Sequence, residues 1–536
     1  MMKLLLKATQ AEMIERWKAM GVVPPGIVIA NIDDAAWPAG LALSAGHAEP
    51  LAWVSCKQSV GGTLTPQEGD ALVASVEAAA EATGLKWRAL GDDLDAVALC
   101  LNSPAKILLT PGQPLGLGPG VSKSDDVCAT TDRVGRQGGS KTGRWGWASQ
   151  IFGAERQAAY SAMCALFLSI ERAWLFDGFP DGKPWVEWDC TAAAKELERL
   201  GIKTTVDDLP RGGRADWRAR TSTPLDADLA LINTRGECWF FDLAPGQGRP
   251  GDTPLLLRPA IVHMVHSWSM QYPNERGTVG GRWIIAGAYA YFGSVEEPYL
   301  GAFLQTPLVA ARLGSGFAWG AACRNEMLPL WRLACIGDPL IARGPRPARL
   351  EAAALPLEGA VYVRDQVAEA VKAAGASGGK GDVFGRPLRM LTMLGEDAKV
   401  AEFAAALARD TPAQFTLDVA VASMYSLARA GRHDMLGKAF AMLDEPTARD
   451  ANLRDALWIG SIGALTTTQD RELLKQLRRT LRTEQPERDA ADLAPAYARV
   501  FGKPAALEML QEVRAGMKDA KRAGDLDAMI GAMGGK

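Results

Sequence analysis

Apolar residues come in short runs through the first two thirds of the chain and at helical spacing through the last third. The runs at 27–31 (IVIAN), 51–55 (LAWVS), 96–101 (AVALCL) and 106–109 (KILL) have the length and aliphatic content of strands. Between them, Thr65, Pro66 and Glu68 form a helix start, and the pattern continues to Ala82 with Gly84 placed to stop it. A second alternating stretch follows. It has a helix at 157–169, a brief strand at 174–176, and a helix at 191–200 closed by Gly201. Four further apolar runs lie at 229–232, 260–265, 283–292 and 333–336. Continuous apolar runs fit strands buried on both faces, and their alternation with helices predicts an α/β body with a mostly parallel sheet flanked by helices.

From about 341 to 385 the chain is rich in Pro, Gly and Ala, which suits a linker. Beyond it, apolar residues recur every three or four positions at 388–393, 400–409, 417–430, 436–443, 453–465 and 472–482, predicting an all-α tail of degenerate helical hairpins. The expected division is therefore an α/β subdomain at 1–150, a second at 151–345, a linker at 346–385 and a helical-repeat-like domain at 386–536.

Residues 111–147 are rich in Gly, Ser, Lys and Arg. They read as an exposed basic loop carrying Arg133, Arg136, Lys141 and Arg144, with 120–145 the stretch most open to proteases. Within it, Gly135 to Thr142 nearly matches a phosphate-binding loop, but Ser140 replaces the second glycine. TDRV precedes it and GRWG follows, neither a good strand nor a good helix start, so the nucleotide reading is the weaker one.

Charge and cysteine content narrow the class. With 536 residues, 23% of them charged and a net charge of −3, nothing draws the chain to nucleic acid or anionic lipid. The 8 cysteines are scattered singly in apolar surroundings, which predicts reduced thiols with no disulfide, no zinc site and no cofactor. The leading apolar stretch, Leu4 to Leu6, is too short for a signal peptide, and nothing approaches a membrane span, so the expected location is cytoplasmic. His263 and His266 point to opposite faces of a strand and do not chelate one ion. Asp92, Asp93 and Asp95 read as a solvated turn rather than a calcium loop, and Asp338 as a turn residue at a strand end.

The segments GAYAYFGSVEEPYLGAF from Gly287, TPLVAARL from Thr306 and WRLACIGDPL from Trp331 resemble bacterial proteins related to the gingipain cysteine peptidases. GDDLDAVALCLNSP from Gly91 and TDRVGR from Thr131 fit the same group more loosely, so the resemblance covers about residues 25–345. It implies a caspase/gingipain-like fold with two α/β subdomains. In that fold one strand ends in His-Gly and the next parallel strand ends in the nucleophilic Cys. Here Arg235 stands at the His position, and His266, Ser267, Trp268 and Ser269 stand at the Cys position. A guanidinium stays protonated and is no base, and Ser267 without a base is a weak nucleophile. One rearrangement keeps a dyad, with Cys238 and His266 on exchanged strands. Against it, Cys238 in Cys-Trp-Phe-Phe reads as a small core residue.

Arg235 beside His266 suits a carboxylate, either a partner's or the chain's own Glu296 or Glu297. One of those glutamates would otherwise select a basic side chain or cap a helix entered at Pro298. The expectation is a non-catalytic protein that binds or assembles with protein partners through the relic cleft or the helical tail. The alternative is an active cysteine or serine peptidase using Cys238, His266 or Ser267.

Overall fold

The computed structural model describes residues 9–110, 127–137, 143–208, 213–325, 328–343, 363–377, 383–518 and 520–534. The chain divides into two compact units. One holds Met1–Trp217 with Asp226–Arg346, the other Arg218–Leu225 with Pro347–Lys536.

The first unit is built on a ten-stranded sheet. Its strands are β1 (Gly26–Ala30), β2 (Leu51–Trp53), β3 (Ala96–Cys100), β6 (Trp147–Ile151), β7 (Arg172–Asp177), β8 (Lys203–Asp207), β9 (Leu229–Asn233), β13 (Ala260–Val265), β14 (Ala288–Ser294) and β15 (Leu333–Ile336). Their order is β2-β1-β3-β6-β15-β14-β13-β9-β7-β8. Every neighbouring pair is parallel except β15 with β14. The sheet is thus two parallel halves running in opposite directions, with carboxyl ends at opposite edges. The halves repeat one winding: β2-β1-β3-β6 is matched by β8-β7-β9-β13. Strands β1, β3, β9, β13 and β14 are buried along their whole length, as both-face coverage requires.

Two small sheets stand apart. The ribbon β4 (Lys106–Leu108) with β5 (Val127–Ala129) is antiparallel, as is the three-stranded sheet of β10 (Gly236–Glu237), β11 (Phe240–Asp242) and β12 (Gln247–Gly248). The latter is anchored by aromatic packing: Trp217 lies 4.7 Å from Phe241 and 4.8 Å from Phe176 between ring centroids.

The second unit is all helix among the described residues, from Val363–Ala376 to Ala520–Gly534. Leu427, Leu436, Phe440, Trp458, Leu474 and Leu493 form its buried interior.

Several expectations are corrected. The apolar run at 283–292 is not one strand: the helix Val279–Ile285 ends before Gly287, whose φ of 115° breaks the chain into β14. No helix begins at Pro298; a 3-10 turn at Leu300–Ala302 precedes the helix Thr306–Gly314. The expected exposed basic loop is in part a core element. Arg133, Arg136 and Arg144 are buried, bonded to Asp70 and Asp132, and residues 147–151 form the central strand β6. Composition misled there, because one buried carboxylate offsets cations that would otherwise demand solvent. Lys141 and Ser140 lie outside the described residues. Residues 138–142 of the near-match to a phosphate-binding loop lie outside the described residues; beyond them Trp145 and Gly146 donate to the Gly135 carbonyl, and a strand rather than a helix follows. Among the described residues no helix is long and apolar enough to cross a membrane.

Candidate functional site

Strands β9 and β13 are adjacent and parallel, so the residues that follow them share one edge of the sheet. The carboxyl edge of parallel strands is the usual place for chemistry in open α/β sheets. After β9 the chain reads Thr234-Arg235-Gly236 and turns at once into the small sheet; after β13 it reads His266-Ser267-Trp268-Ser269.

His266 is 1% exposed. Its Nε2 faces the Phe240 carbonyl oxygen at 3.1 Å. A carbonyl only accepts, so Nε2 carries the proton. Burial is the main cause that pulls the ring down to about 4, against weaker support from Phe240, Ser267 and Asp242. The imidazole is therefore neutral at ordinary pH and covered by β11. Gly236 allows the covering: a Cβ there would stand 3.0 Å from His266 Nε2.

Cys238 lies at the turn between β10 and β11, 1% exposed. Burial, then Glu237, push its thiol up to about 12, the opposite of what a nucleophilic cysteine needs. Among the described residues no hydrogen bond joins Cys238 to His266, whose ring is committed to Phe240. All eight cysteines are free thiols, seven of them buried.

Arg235 leaves the sheet edge. Its side chain is 65% exposed, with Nε 3.3 Å from Asp242 Oδ2, a surface pair of small energetic weight. Glu296 and Glu297 do not fill a cradle beside Arg235. Glu296 pairs with the buried Lys106 of β4 at 3.5 Å. Glu297 accepts from Ser267 Oγ at 3.1 Å and from the Tyr299 amide at 2.9 Å through the same oxygen. The sequence-predicted residues thus fall into two groups: Arg235 on the small sheet, and Ser267 with Glu297 between the ends of β13 and β14.

The backbone around Ser267 is unusual. Trp268 and Tyr299 both have φ of 60°, a region that costs bulky residues of order 1–3 kcal/mol. Ser294, at the end of β14, holds the turn: its Oγ accepts from the Trp268 amide at 2.9 Å and donates to the His266 carbonyl at 3.0 Å. Neither Ser294 nor the neighbouring network was evident in sequence, since Ser294 closes an apolar run. The same holds for Asn233, which ends β9. Its Nδ2 donates to the Trp188 carbonyl at 2.5 Å and its Oδ1 accepts from Thr306 Oγ1 at 2.8 Å. Asp177 at the end of β7 completes this network and is raised to about 6, chiefly by burial.

A cavity of about 600 Å³ lies elsewhere, lined by Arg172, Gly201, Lys203, Gly314 and Arg343 at the amino ends of β7 and β8. The helices Glu155–Phe167, Cys190–Arg199 and Thr306–Gly314 end beside it, and Arg343 Nη1 donates to the Gly314 carbonyl at 3.1 Å. Its cations match helix carboxyl termini, which carry partial negative charge. Among the described residues no group of His, Cys, Asp or Glu is placed to hold a metal. Comparison with protein-family models, with curated proteins and with solved structures finds no match to this chain.

Proposed function

We propose that the chain is a non-catalytic, caspase/gingipain-like protein that acts in binding or assembly of a complex. The observation that carries this reading is His266: a neutral, covered imidazole whose Nε2–H is spent on Phe240. The neighbouring parallel strand β9 is followed by Arg235, a permanent cation whose side chain is 65% exposed, so the pair of strand ends holds no base and thiolate together. The repeated strand order and the adjacency of β9 and β13 support the fold relationship. Fold alone does not set function, so the binding role rests on the loss of chemistry rather than on resemblance. Its partners are proteins, met at this edge or on the helical unit. Eight free thiols suit a reducing compartment such as the cytoplasm.

A fluorogenic peptide library assayed with the full chain tests the proposal. No cleavage above a protein-free blank is expected.

A second reading has one observation in its favour. Ser267 donates to the Glu297 carboxylate at 3.1 Å, so a serine with a carboxylate base is geometrically present. Cleavage lost in both Ser267→Ala and Glu297→Gln would replace the first reading with this one.

A further inference from the structure

The helix Glu155–Phe167 turns one face to the sheet and the other to solvent. Inward, Ala158 and Ala162 are buried in one cluster with Ile151 of β6 and with Ala39 and Leu43 of the helix Trp37–His47. Outward, Arg156, Tyr160, Met163 and Phe167 are exposed, spaced four, three and four residues apart, which places them in one stripe along the helix. The three apolar members are 38%, 48% and 62% exposed. Tyr160 is pinned by its hydroxyl, which donates to the Gly287 carbonyl at 2.8 Å. A Cβ on Gly287 would touch both that hydroxyl and Leu256, so the next residue, Leu257, 44% exposed, borders the stripe. Single apolar residues on a surface are ordinary, but a contiguous stripe marks a contact face.

The chemistry of the stripe complements itself. Its spacing reads the same in both directions about a point between Ser161 and Ala162. A twofold axis through that point lays the helix of a second copy antiparallel on this one. Tyr160 then meets the partner's Met163, a thioether against an aromatic ring. Arg156 meets the partner's Phe167, a cation against a ring face. Among the described residues the Arg156 guanidinium has no ion-pair partner, so this contact breaks nothing. The antiparallel arrangement also sets the positive end of each helix beside the negative end of the other. A parallel arrangement would instead oppose Arg156 to the partner's Arg156. We infer that this stripe, with Leu257 at its border, is a homodimer interface whose occupant is the same helix of a second copy. One helix pair makes a small interface, so the dimer is weak, with a dissociation constant on the order of 10 µM. The face lies apart from the edge formed by β9 and β13, and the inference does not depend on the function proposed for that edge.

Sedimentation velocity of the full chain, from about 1 to about 100 µM, tests it directly. The wild type is expected to pass from monomer to dimer over that range. Met163→Asp should remain monomeric, because the twofold buries its carboxylate against the partner's apolar stripe. Arg156→Glu and Phe167→Lys should each weaken the dimer by about tenfold or more, and the double variant should regain most of the loss. Within one chain these two positions are eleven residues apart, too far along a helix to pair, so the rescue reads the contact between copies alone. All three positions are exposed, and unchanged melting of the monomers confirms that the variants fold. A wild-type chain still monomeric at the highest concentration overturns the proposal, whatever the variants do. So does a dimer that survives Met163→Asp, or a double variant that associates no more tightly than its two parents.

Discussion

The carbonyl oxygen of Phe240 stands 3.1 Å from Nε2 of His266, so a backbone group of the small sheet occupies the ring atom that would otherwise serve a nucleophile. The pair also fixes how the protein responds to acid. The folded value of His266, about 4, lies below the ordinary 6.5. As pH falls, the unfolded chain takes up the proton first. Stability is therefore full above about 6.5 and is lost between there and 4, on the order of 3 kcal/mol for this residue. His263, pulled to about 3 by burial, acts in the same direction, while Asp177, raised to about 6, opposes. Urea midpoints measured from pH 7 to 4.5 should fall more steeply for the wild type than for His266→Gln. Parallel curves would remove the assignment of a neutral, covered ring.

Gly236 makes the covering possible. Its φ is 149°, and a Cβ would press on both the Phe240 carbonyl and the His266 ring. Gly236→Ala should cost at least about 2 kcal/mol, more than the usual few tenths to one for such a change, because strain and overlap add. It should also speed proton exchange of the β11 amides. A variant as stable as wild type would mean that the small sheet does not clamp the ring.

The strands were legible where short aliphatic runs stood unbroken, as at 229–232 and 260–265, but a longer run such as 283–292 suits a buried helix as well as a strand. The same rule missed β6, whose residues Trp147 to Ile151 include Ser149 and Gln150 in the core. Their donors are met by carbonyls far along the chain: Gly337 accepts from Ser149, and Leu101 and Ser103 accept from Gln150. A sequence does not display such pairings. The candidate site was half visible for the same reason. Arg235, His266 and Ser267 stand at the ends of apolar runs and so could be placed on the sheet edge. That Glu296 would go to Lys106 depends on where the β4–β5 ribbon packs, and that Glu297 would go to Ser267 on the turn after β14.

In the helical unit, Arg482 is held by Asp489 at 2.7 Å and lies over Trp458 at 5.5 Å, with the arginine 2% and the aspartate 0% exposed. Asp455, 3.5 Å from Arg482 Nη1, is the second carboxylate beside it, so removing Asp489 leaves the guanidinium under-compensated. Asp489→Ala should cost about 3 kcal/mol, and Asp489→Asn less, because its one carbonyl oxygen still accepts one of the bonds that the Arg482 amide and Gln485 now give to separate carboxylate oxygens. Chemical denaturation of the full chain reads both. Equal losses in the two variants would mean that charge, not hydrogen bonding, sets the cost.

Glu49 gives the clearest linkage between protonation and folding. Its carboxyl group is 1% exposed and neither oxygen has a hydrogen-bond partner. The charged groups that face it are Asp338 and His47, which bond each other at 2.7 Å, with the Cys100 thiol also within electrostatic reach. Burial first, then Asp338, push the carboxyl up to about 8, and His47 only partly offsets them. The folded protein therefore keeps this proton across a range where the unfolded chain has released it. Below about 4.5 both states are protonated and the group is neutral in its effect. From there to about 8 stability falls with rising pH, by an amount on the order of 5 kcal/mol for the full shift. Glutamine has the same shape and never ionises. Glu49→Gln should match the wild type near pH 4.5 and exceed it increasingly up to pH 8, with the difference flattening above. Denaturation midpoints at pH 5, 6.5 and 8 decide the matter. A difference that stays constant across the three would show that Glu49 is charged in the folded protein, and that a partner for it forms in solution.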